Sequence, residues 1–171
     1  MNVRTSLNAL AAALVIAGAA HVTTAGLSAA TATASMPVSA TVSNNCTITT
    51  NPIAFGSYDP IVANATVNLD ATGAVIIACT KGAVTTLGLD TGANASASTR
   101  RLASSGNFLA YELYQDSNRS TVWGNSGADL FNSGTSPSKD ARTFQVYGRI
   151  TAGQDVQAGA YTDTIIATVN F

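Results

Sequence analysis

The stretch Tyr161-Thr-Asp-Thr-Ile-Ile-Ala-Thr-Val-Asn-Phe171 decides the fold. Tyr161, Asp163, Ile165, Ala167, Val169 and Phe171 alternate with Thr162, Thr164, Ile166, Thr168 and Asn170. Apart from Asp163 and Ile166, this is an apolar face opposite a polar one, the period-2 signature of a half-buried β-strand. Termini usually fray, so a terminal segment written as a strand calls for a pairing partner. A second stripe lies near the other end. Ala30, Ala32, Ala34, Met36, Val38, Ala40 and Val42 alternate with Thr31, Thr33, Ser35, Pro37, Ser39, Thr41 and Ser43. A chain that starts and stops in strand-like segments is suited to giving or receiving a strand, which points to assembly rather than catalysis.

Residues 1–34 read as a secretory signal peptide: a charged start at Arg4, an apolar run over about residues 9–20, then small residues. Cleavage is expected between Ala20 and Ala34, and the apolar run is shorter than the roughly 20 residues of a membrane span. Residues 35–171 then form one domain. Charged residues make up 10% of the chain, against about 25% in a typical protein. Losing Arg4 with the leader leaves 8 − 1 = 7 basic against 9 acidic residues, a net charge near −2. Such a surface has no electrostatic footprint for nucleic acid or for insertion into an anionic membrane. It suits a subunit that packs against copies of itself.

Cys46 and Cys79 stand 33 positions apart (79 − 46). In an exported chain an even cysteine count reads as a disulfide, and two cysteines allow one intramolecular pairing. Strand-like segments recur at 36–42, 46–49, 66–69, 74–79, 84–89, 108–115, 144–150 and 161–171. Turn-rich loops separate them at 91–99, 116–120 and 124–140. Many short strands without alternating helices predict an all-β antiparallel sandwich.

Chemistry-bearing motifs are sparse. The one histidine, His21, falls in or beside the leader. The mature chain therefore lacks the imidazole of Ser-His-Asp and Cys-His nucleophiles and of the usual zinc sets. Ser136-Pro-Ser-Lys139 matches S-x-x-K in letters but sits in a polar stretch without the helix that motif requires. The acidic residues are scattered singly, and no phosphate-cradling glycine loop is present. No cofactor or metal is expected. Asn64-Ala-Thr66 and Asn94-Ala-Ser96 are sequons of the kind that arise by chance in an Asn- and Thr-rich chain. Trp123, Tyr111, Tyr114 and Tyr147 suggest a sugar-stacking surface. However, Tyr111 shares a strand face with Leu109 and Leu113 and reads as core, with a hydroxyl that needs a partner. Arg100-Arg101 either anchors a carboxylate such as Asp59 or Asp163 by a forked pair or forms a solvated loop end.

The landmarks fall in a characteristic order. They are Asn45-Cys46-Thr47-Ile48, Phe55-Gly56-Ser57-Tyr58-Asp59-Pro60, Ala78-Cys79-Thr80 and Arg101-Leu102. Leu109–Tyr114, Val122-Trp123-Gly124, Val146–Ile150 and Ala158–Thr164 follow. This series resembles the spore coat protein U family, which includes the subunits of archaic (Csu-type) chaperone–usher pili. The resemblance implies an incomplete immunoglobulin-like sandwich completed by a donated strand. It implies a periplasmic pilus chaperone, an outer-membrane usher and other subunit copies as partners. Ala34, Met36, Val38 and Ala40, within a donor segment of about residues 30–42, would enter a neighbour. Ile165, Ala167, Val169 and Phe171 would form the acceptor and chaperone-pairing edge. Pro37 fits a ladder poorly, because it has no N–H to donate.

Three functions follow as expectations. The first is a non-enzymatic subunit of a surface pilus serving adhesion or biofilm formation, a shaft or minor subunit rather than a tip adhesin. The second is a secreted spore-coat or matrix protein of the same fold. The third is a carbohydrate-binding module.

Overall fold

The computed structural model describes Gly26 and residues 28–171. Most of the expected leader, with its apolar run and His21, lies outside the described residues. The described part divides into an N-terminal unit ending at Ser39 and a domain over residues 40–171. In the N-terminal unit, residues 28–39 form no ladder and are exposed, with Met36 85% and Val38 90% accessible. The strand expected over residues 36–42 is therefore absent as a paired element.

The domain is all-β: β1 (Cys46–Asn51), β2 (Leu69–Cys79), β3 (Val84–Leu89), β4 (Arg100–Ser104), β5 (Asn107–Tyr114), β6 (Phe131–Thr135), β7 (Arg142–Ile150) and β8 (Ala167–Asn170). A single 3-10 turn, Gly127–Asp129, is the one helical element among the described residues. Every strand pairing is antiparallel, in a five-stranded sheet β1-β2-β7-β5-β4 and a three-stranded sheet β6-β3-β8. The core lies between them, and alternation decides who enters it. Leu109, Tyr111 and Leu113 of β5 are buried, as are Val146 and Ile150 of β7 and Leu87 and Leu89 of β3. Trp123 is fully buried, donates from Nε1 to the Leu87 carbonyl at 3.0 Å and stacks on Phe131 at 4.8 Å. It is core and presents no ring to a sugar.

The disulfide Cys46–Cys79 is present, and its two residues face each other across β1 and β2. Thr80 N–H donates to the Asn45 carbonyl at 2.9 Å. Alternation makes Cys46–Cys79 a non-hydrogen-bonded pair, the type whose side chains approach most closely.

Several expectations need correction. The stretch 124–140, read as one loop, contains β6. Asn-Ser-Gly resembles a turn, yet a register shift opposite Thr85/Thr86 and the left-handed Gly134 (φ 68°) let it pair with β3. Ser136 is buried rather than solvated, accepting at Oγ from Arg142 at 2.9 Å. Arg100 reaches neither Asp59 nor Asp163. It lies buried in β4, a strand the pattern missed, and pairs with Glu112. Its other nitrogens donate to the carbonyls of Leu89, Asp90 and Trp123. Arg101 donates to the Asn94 carbonyl instead of a carboxylate. Of the segment 66–69, only Leu69 belongs to a strand. Asn64 is buried and bonded to Asp59 and Val67, so that sequon is part of a loop lock.

The stretch 161–171 is not one strand either. Thr162 forms a lone antiparallel bridge with Ala103 at the outer edge of β4, and the ladder with β3 begins at Ala167. Between them the chain changes sheets.

Candidate functional site

The sheet change leaves β8 at an edge. Asp90 N–H donates to the Ile166 carbonyl at 3.1 Å, and Ala93 N–H to that of Thr164 at 3.0 Å. Thr168 and Asn170 lie opposite Gly88 and Thr86. The even-numbered residues thus turn their backbone toward β3, and alternation directs the N–H and C=O groups of Ile165, Ala167 and Val169 away from it. Among the described residues β8 has no ladder partner on that side. The edge of β1 is open by the same reasoning. Asn45, Thr47, Thr49 and Asn51 face β2, leaving the backbone groups of Cys46, Ile48 and Thr50 directed outward.

Between the two edges runs a groove. One part, of about 330 Å³, is lined by Thr50–Ile53 and Phe55 on the β1 side and by Asp163–Ile165 and Ala167 on the β8 side. Val75, Leu89, Leu113 and Val146 lie at its floor. A second part, of about 590 Å³, continues between residues 53–60 and residues 156–161. Two glycines shape it. A Cβ on Gly73 would lie 2.5 Å from Ile53 Cγ1, and one on Gly148 would lie 2.8 Å from Phe55 Cζ. Without those side chains, residues 52–55 settle onto the five-stranded sheet and form one wall.

The groove holds one anchored polar group. Asp163 Oδ1 accepts from Asn94 N–H at 3.1 Å and Asn94 Nδ2 at 3.0 Å, while Oδ2 accepts from the Tyr111 hydroxyl at 2.7 Å. Burial first, and the bond to Asp163 second, hold the Tyr111 phenol well above its usual pKa. Asp90 Oδ1 in turn accepts from Ile166 N–H and Gly92 N–H, both at 3.0 Å. These two carboxylates tie the 90–94 loop to the lead-in of β8 and fix the path of the open edge.

Of the expected acceptor residues, Ile165, Ala167 and Val169 are half-buried against the core, whereas Phe171 lies beyond β8 and is 55% exposed. Ala34, Met36 and Val38 lie in the separate N-terminal unit, and Ala40 is an exposed residue at the start of the domain. The second half of the groove was not anticipated from sequence, although two landmarks line it: Phe55–Tyr58 and Ala158–Tyr161.

Residues 32–168 match the family model described as the Spore Coat Protein U domain. The chain belongs to that family. It is 38% identical over 176 residues to Protein U of Myxococcus xanthus, covering 94% of this chain and 97% of that protein. Among solved structures it is similar to a chain in the CsuC–CsuE chaperone–tip adhesion subunit pre-assembly complex from archaic chaperone–usher Csu pili of Acinetobacter baumannii. There the TM-score is 0.55 at 24% identity, covering 77% of this chain and 41% of that chain. The family match takes in most of the N-terminal stripe as well as the groove. No helix among the described residues is long and apolar enough to cross a membrane.

Proposed function

We propose that this family member is a structural, non-enzymatic subunit of a surface pilus. It is exported to the periplasm, held there by a pilus chaperone and polymerised through an outer-membrane usher by donor-strand exchange. The observation that carries this reading is the groove with two open backbone edges, Cys46–Thr50 on one side and Ile165–Val169 on the other. A strand laid between them would satisfy both rows of backbone groups and cover apolar floor, the physics of strand addition. Where β1 and β8 approach within 8 Å, Cα to Cα, the edges must part to admit it, because two interstrand spacings come to about 9.6 Å. The stripe Ala34, Met36, Val38, Ala40 has the small and apolar alternation such a groove accepts, and Met36 and Val38 are bare. Ile165, Ala167, Val169 and Phe171 then form the receiving edge, and adhesion or biofilm formation is the role of the fibre.

The test co-expresses Val38→Asp and Val169→Asp with chaperone and usher. An unpaired carboxylate in an apolar groove costs several kcal/mol. Val38→Asp is expected to leave periplasmic chaperone complexes intact while surface polymer is lost. Val169→Asp is expected to weaken chaperone capture itself. Normal polymer from Val38→Asp rules the stripe out as donor.

A coat or matrix protein of the same fold is the second reading. It is favoured by the near end-to-end likeness to Protein U and by the family's description. Filaments on the cell surface support the first reading, and a filament-free deposit on the envelope supports the second.

A further inference from the structure

The loop Pro60–Asn68 carries no charged residue and holds two neighbouring aliphatic side chains in solvent, Ile61 at 81% and Val62 at 76% exposure. It is rigidly held. Asp59 Oδ1 accepts from Ile61 N–H at 2.9 Å and Val62 N–H at 3.1 Å. Asn64 Oδ1 accepts from Asp59 N–H, and Asn64 Nδ2 donates to the Val67 carbonyl, both at 3.0 Å. Gly153 N–H donates to the Asn64 carbonyl at 2.8 Å, fastening the loop to the end of the sandwich. Single exposed aliphatics are ordinary. A pinned, uncharged loop displaying two in succession is a preformed contact surface.

Its place in the fold indicates what covers it. The open β1 edge and the groove together have two ends. The edge begins at Cys46, where the chain enters β1, and the groove lining, which starts at Thr50, reaches Tyr58–Pro60 beside this loop. The two ends are separated by roughly the length of β2, whose 11 residues span about 33 Å. A copy that donates its stripe has its own β1 beginning four residues after Val42, so its domain sits within about 14 Å of the groove end where the strand emerges. If that were the Cys46 end, the incoming domain would crowd the exit of the acceptor's own N-terminal segment. Emergence at the loop end lets each copy receive at one end and donate from the other. That is the head-to-tail contact of an open polymer.

We infer that Ile61 and Val62 dock against the donating copy of this chain, on the apolar residues around the start of its domain. That end exposes Val42 (83%) and, past the turn after Cys79, Val84 (66%). The inference rests on the strand-exchange reading and adds to it a domain–domain contact outside the groove. The contact restrains how neighbouring copies swing about the short linker.

Both native cysteines are locked in the disulfide, so introduced thiols are the free ones. Polymer is assembled from the full chain carrying Ile61→Cys and Val84→Cys, treated with a short bis-maleimide, and then dissociated by heat. A covalent ladder is expected; a ladder from Ile61→Cys combined with Val42→Cys reports only the end at which the donated strand emerges, because Val42 closes the donor segment. None is expected from Ile61→Cys alone or combined with Gln145→Cys on the outer face of the five-stranded sheet. Normal polymer without a ladder from the Ile61→Cys and Val84→Cys pair overturns the docking contact and leaves strand exchange standing. Failure of the unsubstituted chain to polymerise overturns both.

Discussion

Tyr111 and Asp163 show how one residue pair couples the core to the groove edge. The phenol is buried among apolar side chains and donates to a carboxylate, and both features favour its neutral form. The consequence for stability has a definite sign. In the unfolded chain a tyrosine loses its proton near pH 10. The folded domain retains this proton to higher pH, so above that point the unfolded state binds fewer protons and is favoured. Stability from this group is complete below about pH 10 and declines above it. Tyr111→Phe should lower stability at neutral pH by about 1–3 kcal/mol, because Asp163 loses a partner. It should also flatten the decline above pH 10. Urea unfolding at pH 7, 9, 10 and 11 checks both; an equally steep alkaline loss in Tyr111→Phe would assign that loss elsewhere.

At the scale of elements, the period-2 pattern carried much of the architecture, and its failures have physical causes. It placed β3 at its observed limits and most of β1, β5 and β7; in β1, β5 and β7 the apolar residues alternate against a core that one face touches, whereas β3 is buried on both faces from Leu87 to Leu89. It missed β4 because Arg100 enters the core with its charge paired and its donors on carbonyls, which no hydropathy pattern reveals. It missed β6 because Asn132, Ser133 and Gly134 serve a bulged edge rather than a turn. It merged the sheet-crossing residues 162–166 with β8, whose alternation they share while pairing differently. The groove was legible in its β8 wall alone, because the opposite wall depends on absent side chains. Gly148→Ala would press a methyl against Phe55, which already packs edge-on to Tyr111 at 6.1 Å. Overpacking of this kind costs about 1–3 kcal/mol. The variant should fold with lower stability and show weakened chaperone capture, read by co-purification. Undiminished capture would mean that the 52–55 wall does not shape the site. The Cys46–Cys79 bridge lies at the same β1 edge. Cys46→Ser should reduce stability by roughly 3–4 kcal/mol and lower periplasmic levels without reducing export. Full accumulation of a normally stable Cys46→Ser chain would remove the structural role of the bridge.

At the scale of the whole molecule, a sandwich of five strands against three has two unpaired edges, β1 and β8, which approach within 8 Å, Cα to Cα, over part of their length and flank the groove at Thr50–Phe55 and Asp163–Ala167. Unpaired, apolar edges are normally blunted by charge, proline or a covering element. Here the β8 edge carries no charged residue between Thr164 and Phe171, which suits an edge meant to be covered. The N-terminal stripe offers the complementary strand but forms no ladder within this chain. Both features have one explanation if the stripe of one copy belongs in the groove of another.

The most direct test of that claim fuses a second copy of residues 30–42 after Phe171, through a short flexible linker, in a chain whose own N-terminal stripe has been removed. The measurement is resistance to a nonspecific protease, together with the urea midpoint. A matched fusion carries Met36→Asp and Val38→Asp in the appended segment. A monomeric, protease-resistant protein is expected from the native segment, and loss of that resistance is expected with the two aspartates. Equal resistance in the two fusions, or in the chain with no appended segment at all, would contradict the claim.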